Sequence, residues 1–255
     1  NDAAQVLEIL PILSMLPAFW MLYDQHASVW TLQATRMNLC GFQPEQLGMI
    51  NPLEIMILVP LFDAYVYPTM ERWGFSTSHL NRMLYGMVLA ACAFIVSGFL
   101  ESAIQRQEQE STSTNSKEPI LFLFQIPQIT ILSISEILVS VTGLEFAYFN
   151  SPSRVKSVVM AIFLLTTAVG DLGAGLLYSS IFQTMNKATI MHVCAAIMSV
   201  NLVVFFFVAR WWERQKVTKT MQSPILVRNG RSNAGGVSAH AIELISMDVS
   251  SEGRS

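Results

Sequence analysis

The sequence predicts an all-α, polytopic membrane protein that crosses the bilayer with six transmembrane helices. Three observations carry this expectation. Charged residues make up 13% of the 255 residues, about half of the ~25% found in soluble domains. Hydrophobic residues make up 52% and mean hydropathy is +0.45, so a soluble globule would lack polar surface to cover its core. The apolar residues also fall into runs near the ~20 residues that a helix needs to cross ~30 Å of hydrocarbon. These runs are 7–33, 47–69, 80–100, 120–147, 156–182 and 187–212.

The first run places Trp20, Asp24 and Ser28 four residues apart, on one helical face. This combines an aromatic wall, a titratable group and a hydroxyl; a helix contact in which Asp24 bonds a neighbouring hydroxyl is the alternative. His26 lies about 200° around the helix from Asp24, so a direct pair is not expected and its role is read as structural. The second run follows Gln43-Pro44-Glu45 and contains Ile50-Asn51-Pro52-Leu53-Glu54, Pro60 and Pro68. Asn-Pro suits an N-cap with a first-turn proline; otherwise the prolines free backbone groups toward a cavity.

The third run follows the turn Gly74-Phe75-Ser76 and ends at Glu101–Glu118, which is rich in Gln, Glu, Ser and Thr and reads as a solvated loop. In the fourth run Ser133, Glu136, Ser140 and Gly143 form one polar and small stripe at helical spacing. Glu145 lies on the opposite side from Glu136, so the two form no dyad. Asn150-Ser151-Pro152-Ser153 separates this run from the fifth, which carries Gly170, Gly173 and Gly175. The sixth ends at Trp211-Trp212 before Arg214, an interfacial anchor. Residues 1–212 thus form the bundle, and 213–255, with its serines and small residues, reads as a disordered cytoplasmic tail.

Six spans put both ends on one side. Arg72, Arg82, Arg154, Lys156, Arg210, Arg214, Lys216 and Lys219 fall on that side, against Arg36, Arg106, Lys117 and Lys187 on the other, which favours cytoplasmic termini. The chain opens at Asn1 without a basic, signal-like start, and is expected to be a piece of a longer protein.

Several functions are disfavoured at once. A net charge of −3 gives no electrostatic case for nucleic acid. Cys40, Cys92 and Cys194 form no disulfide framework, and His26, His79, His192 and His240 lack metal-ligand spacing. No metal set or nucleophile–base pair suggests an enzyme, and no cofactor is expected.

The informative residues are the carboxylates inside apolar runs: Asp24, Glu54, Asp63, Glu136 and Asp171. A charge at the bilayer centre costs about 2.5–3.5 kcal/mol, so several facing lipid would cost on the order of 10 kcal/mol. They must face a polar cavity, find partners or bind protons. Asp63 and Asp171 also suit hydrated positions near helix ends. Glu136 could carry a proton or bind an amine as a carboxylate, or be satisfied by hydroxyls in a packing interface.

Specific strings go further. Phe19-Trp20, Tyr23-Asp24-Gln25, Trp30 to Thr35 and Met37-Asn38 closely resemble helix 7 of the proton-coupled oligopeptide transporters of the animal type. Asn51-Pro52, Val59-Pro60, Asp63 and Tyr67-Pro68 resemble helix 8 of that family. Glu136, Ser140 to Phe146, Tyr148, Pro152 and Lys156-Ser157-Val158 resemble helix 10 and the turn into helix 11. The matches keep their order over most of residues 10–182, which would make the spans helices 7 to 12 of a twelve-helix major-facilitator fold.

The resemblance implies proton-coupled symport of di- and tripeptides, with protons as the coupling ion and no other cofactor. The family's helix 10 glutamate, which engages the free amino end of a peptide, falls on Glu136, and its helix 8 asparagine on Asn51. Its acidic helix 7 position, associated with proton coupling, falls on Asp24, beside the cavity-lining aromatic at Trp20; Ser140 joins the substrate-binding set and Glu136 the proton-coupling set. Glu54 and Asp171 depart from the family pattern. The implied partners are peptides, protons, the lipid bilayer and an amino-terminal half of the same transporter, at the plasma membrane. A non-transporting peptide sensor or scaffold, or a transporter of another small solute such as histidine or nitrate, is the alternative.

Overall fold

The computed structural model describes residues 2–114 and 119–218. The six expected spans are all helical: α1 (Gln5–Ala34), α2 (Pro44–Arg72), α4 (Phe122–Phe149), α5 (Lys156–Phe182) and α6 (Lys187–Thr218), with α3 covering His79–Thr114. Long apolar side chains such as Met56, Ile57, Leu164, Leu165 and Leu172 stand exposed along them, as lipid-facing positions require.

Two expected boundaries move outward. The stretch from Glu101, expected as a solvated loop, continues α3 as far as Thr114. Its Glu and Gln residues are good helix formers, and they have partners. Glu101 is 0% exposed. It is paired with Arg36 just beyond α1 and accepts from Gln33 Nε2 at 3.1 Å and Gln105 Nε2 at 2.9 Å. Gln33 Oε1 in turn accepts from Gln125 Nε2 at 3.2 Å and Gln128 Nε2 at 3.0 Å, tying α1 and α3 to α4. Composition shows such a segment as polar but cannot show that a half-buried arginine partner awaits it. The last helix likewise passes residue 212 to Thr218; the rest of the expected tail lies outside the described residues.

The helices are not uniform. Among the described residues, π-helical turns fall at His26–Trp30 in α1, Phe62–Val66 in α2, Ile137–Val141 in α4 and Tyr178–Phe182 in α5. In α2 the turn follows Pro60, which has no N–H to donate to the carbonyl four residues back. In α4 it begins at the residue after Glu136. Such turns insert an extra residue and occur frequently at functional sites. They also rotate all that follows, so a stripe extrapolated at 3.6 residues per turn loses its phase there.

Residues Asn1–Val208 pack as one compact unit. Within it α1 and α5 approach closely at Gly170, where an added Cβ would lie 2.3 Å from Trp20 Cβ and 2.9 Å from the Pro17 carbonyl oxygen. Neither atom is at the end of a flexible chain, so Gly170→Ala must push the helices apart. It is expected to cost about 1–3 kcal/mol and to lower the unfolding midpoint in detergent. Gly175→Ala, whose Cβ would meet nothing within 4 Å, is the matched control; an equal effect of both would contradict the close approach. The second unit is Ala209–Ser255; in its described part Arg210 pairs with Glu213 at 2.9 Å and Lys216 lies over the Trp212 ring.

Candidate functional site

Three helices meet at Glu136. Tyr23 of α1 donates its phenolic hydrogen to Glu136 Oε2, and Asn51 Nδ2 of α2 donates to the same oxygen at 3.2 Å and to Tyr23 Oη at 2.9 Å. The side chains of residues 23 and 136 are half-buried, while Asn51 is 4% exposed. Asn51 therefore spends its amide on this cluster and not on an N-cap, and α2 starts earlier, at Pro44. All the donors to Glu136 are neutral, and among the described residues no cation pairs with it. A carboxylate within a membrane-spanning helix, oriented by neutral donors, has the chemistry to accept a cation or a proton.

Tyr23 was not singled out by spacing, although a signal existed: it lies three residues after Trp20, on the same face. The rings of Trp20 and Tyr23 meet edge to face at 5.7 Å, and Phe19 stacks on Tyr23 at 5.9 Å. Trp20 itself is 7% exposed, so it braces the phenol and packs against Gly170. His26 is structural in the expected sense, since its Nδ1 donates to the Tyr23 carbonyl oxygen at 2.6 Å.

The remaining acids divide. Asp24 caps the segment that precedes the α1 π turn and is half-buried. Its side chain has no hydrogen-bond partner among the described residues, and Asp171, exposed on α5, lies within its electrostatic reach. Glu54 is held structurally: it accepts from Thr130 Oγ1 and Ser133 Oγ, both at 2.7 Å. Ser133 thus serves Glu54 and does not continue the stripe through Glu136. Ser140 sits half-buried in the π turn, with no hydrogen bond to the Glu136 cluster among the described residues. Gly143 packs against Phe163, where a Cβ would stand 3.1 Å from the ring. Asp63 is exposed on the α2 π turn.

A cavity of about 300 Å³ adjoins the cluster between α1, α2 and α4, sharing Asn51 as a wall; His26, Trp30, Thr31, Glu45 and Gln125 also line it. Among the described residues no group of His, Cys, Asp and Glu could hold a metal ion.

A bundle of six membrane-spanning helices with an oriented carboxylate in its interior has the build of a multi-pass transporter of the major-facilitator type. The chain belongs to the POT family, whose family model matches residues 1–192. It is 28% identical over 174 residues to the peptide transporter PTR2 of Saccharomyces cerevisiae, covering 67% of this chain and 29% of that protein. It is 37% identical over 148 residues to the human solute carrier family 15 member 2, covering 56% of this chain and 19% of that one. The crystal structure of an auto-inhibited POT family peptide transporter superposes with a TM-score of 0.71 at 31% identity, over 82% of this chain and 42% of that one. The chain spans less than half the length of these relatives.

Proposed function

We propose that this chain supplies the carboxy-terminal part of a proton-coupled symporter of di- and tripeptides. The observation that carries the reading is the Glu136 carboxylate, oriented by Tyr23 and Asn51 and paired with no cation among the described residues. A peptide's α-ammonium has the charge and the donors this carboxylate lacks, and charge-assisted hydrogen bonds are about twice as strong as neutral ones. In this reading Glu136 and Asn51 take the amino end and Trp20 and Ser140 complete the wall. Asp24, whose carboxylate has no hydrogen-bond partner among the described residues, carries the coupling proton, with Glu136 contributing to coupling as the ammonium comes and goes. The group that receives the peptide's carboxylate end belongs to an amino-terminal half of the same transporter, since major-facilitator sites lie between repeats. Protons are the only coupling ion, no cofactor is required, and the protein is a transporter in the plasma membrane with its carboxy terminus in the cytoplasm, not an enzyme.

The test uses the full transporter that carries this chain, reconstituted in vesicles and given labelled Ala-Ala. A potential of 100 mV supplies about 2.3 kcal/mol per charge, enough for about 50-fold accumulation of a neutral dipeptide moving with one proton. Accumulation is expected when an inward proton gradient or potential is imposed; uptake indifferent to both would overturn the reading. Asp24→Asn should flatten the rise of uptake with external acidity while Ala-Ala still binds. A pH profile unchanged by that substitution would remove Asp24 from the coupling step.

A further inference from the structure

The cavity beside Asn51 has a chemistry of its own. Its volume of about 300 Å³ lies at the lower end of the ~300–1,000 Å³ typical of small-molecule pockets, ample room for one long side chain. The polar groups around it have spent their hydrogens elsewhere. His26 Nδ1 donates to the Tyr23 carbonyl, so Nε2 is an acceptor whenever the ring carries a single hydrogen. Thr31 Oγ1 donates to the Ala27 carbonyl at 2.8 Å. Asn51 Nδ2 is committed to Tyr23 and Glu136, leaving its Oδ1. Gln125 Nε2 donates to the Trp30 carbonyl at 2.9 Å and to Gln33. Glu45 adds the one formal charge among the lining residues, and among the described residues no cation pairs with it. The Trp30 indole N–H and the Gln125 amide oxygen are both sealed from solvent without a partner among the described residues, so the acceptors that face the space are those of His26, Thr31, Asn51 and Glu45. The rings of Trp30 and His26, 6.1 Å apart and edge to face, offer apolar flanks for a methylene stem.

We propose that this cavity is the subsite for the side chain of the peptide's first residue, and that it selects a cationic side chain, lysine or arginine. The inference rests on the placement of the peptide's amino end at Glu136 and Asn51. With the ammonium there, the first side chain leaves from a carbon one bond away and enters the adjoining space past Asn51. Its methylenes lie along Trp30, and its terminal donors meet the ring of acceptors that ends at Glu45.

The experiment measures competition by Lys-Ala, Ala-Lys and Ala-Ala in the full transporter. Lys-Ala is expected to bind better than Ala-Lys. In Glu45→Gln, where an exposed carboxylate is lost, the affinity ratio of Lys-Ala to Ala-Ala should fall about two- to fivefold, the size of an exposed ion pair, with the ratio for Ala-Lys unmoved. Gly48, on the cavity wall, has nothing within 4 Å of an added Cβ, so Gly48→Leu places bulk in the cavity without a backbone clash. It should lower the same Lys-Ala ratio. Ratios are independent of how much transporter folds. Transport of Ala-Ala with no first-position preference, or with ratios unchanged in both variants, would overturn the subsite and leave the peptide-transport reading standing. Absence of any dipeptide transport would overturn both.

Discussion

Glu136→Gln is expected to weaken binding of peptides with a free amino end by about 10- to 100-fold, the worth of a hydrogen bond to a charged group. The substitution keeps shape and an acceptor oxygen, so Tyr23 and Asn51 can still donate to it as they do to Oε2. What is lost is the charge. N-acetylated peptides, which have no ammonium, should lose far less, and the difference between the two classes is the diagnostic quantity. Competition against labelled Ala-Ala in the full transporter measures it. Equal loss for free and acetylated peptides would mean that Glu136 supports the fold and does not meet the substrate.

The second large effect is one of stability. Glu101→Ala should destabilise the protein by about 1.5–3 kcal/mol, the worth of hydrogen bonds to a charged group. Glu101 is fully buried and accepts from Arg36, Gln33 and Gln105 together, so its loss breaks three bonds at once, although each donor keeps one other acceptor, Glu108, the Ser97 carbonyl and Asn186 respectively. Glu101→Gln, which keeps an acceptor, should lose only part of that. Thermal unfolding in detergent separates the cases. A midpoint unmoved by Glu101→Ala would show that water replaces the carboxylate without cost.

The two effects differ in how far they could be read in advance. The six spans and their order are legible because bilayer thickness imposes a length that any apolar run reveals. Glu136 and Asn51 stand out as candidates because a charge at membrane depth is expensive and because the surrounding strings resemble a known family; the structure brings the two within 3.2 Å. Tyr23 stood inside one of those strings, but its partner is 113 positions away, and no local pattern marks such a contact. The Glu101 network is hidden for a related reason: its glutamines and glutamates have the composition of a loop, and only the meeting of α1, α3 and α4 makes them a core. The π turn after Glu136 shifts Ser140 and Gly143 out of the phase that a helical wheel gives them relative to Glu136, and Ser133, which precedes the turn, is taken by Glu54. A 3.6-residue period cannot foresee either. Glu54 shows the converse, a departure from the family pattern that the fold satisfies with two hydroxyls from α4.

The Tyr23–Glu136 bond gives the most direct test of the account. In a structure of the full transporter with Ala-Ala bound, the peptide's amino nitrogen should lie about 2.7–3.2 Å from a Glu136 oxygen, with Asn51 beside it. An amino nitrogen placed elsewhere, with Tyr23, Asn51 and Glu136 still bonded only to one another, would contradict it.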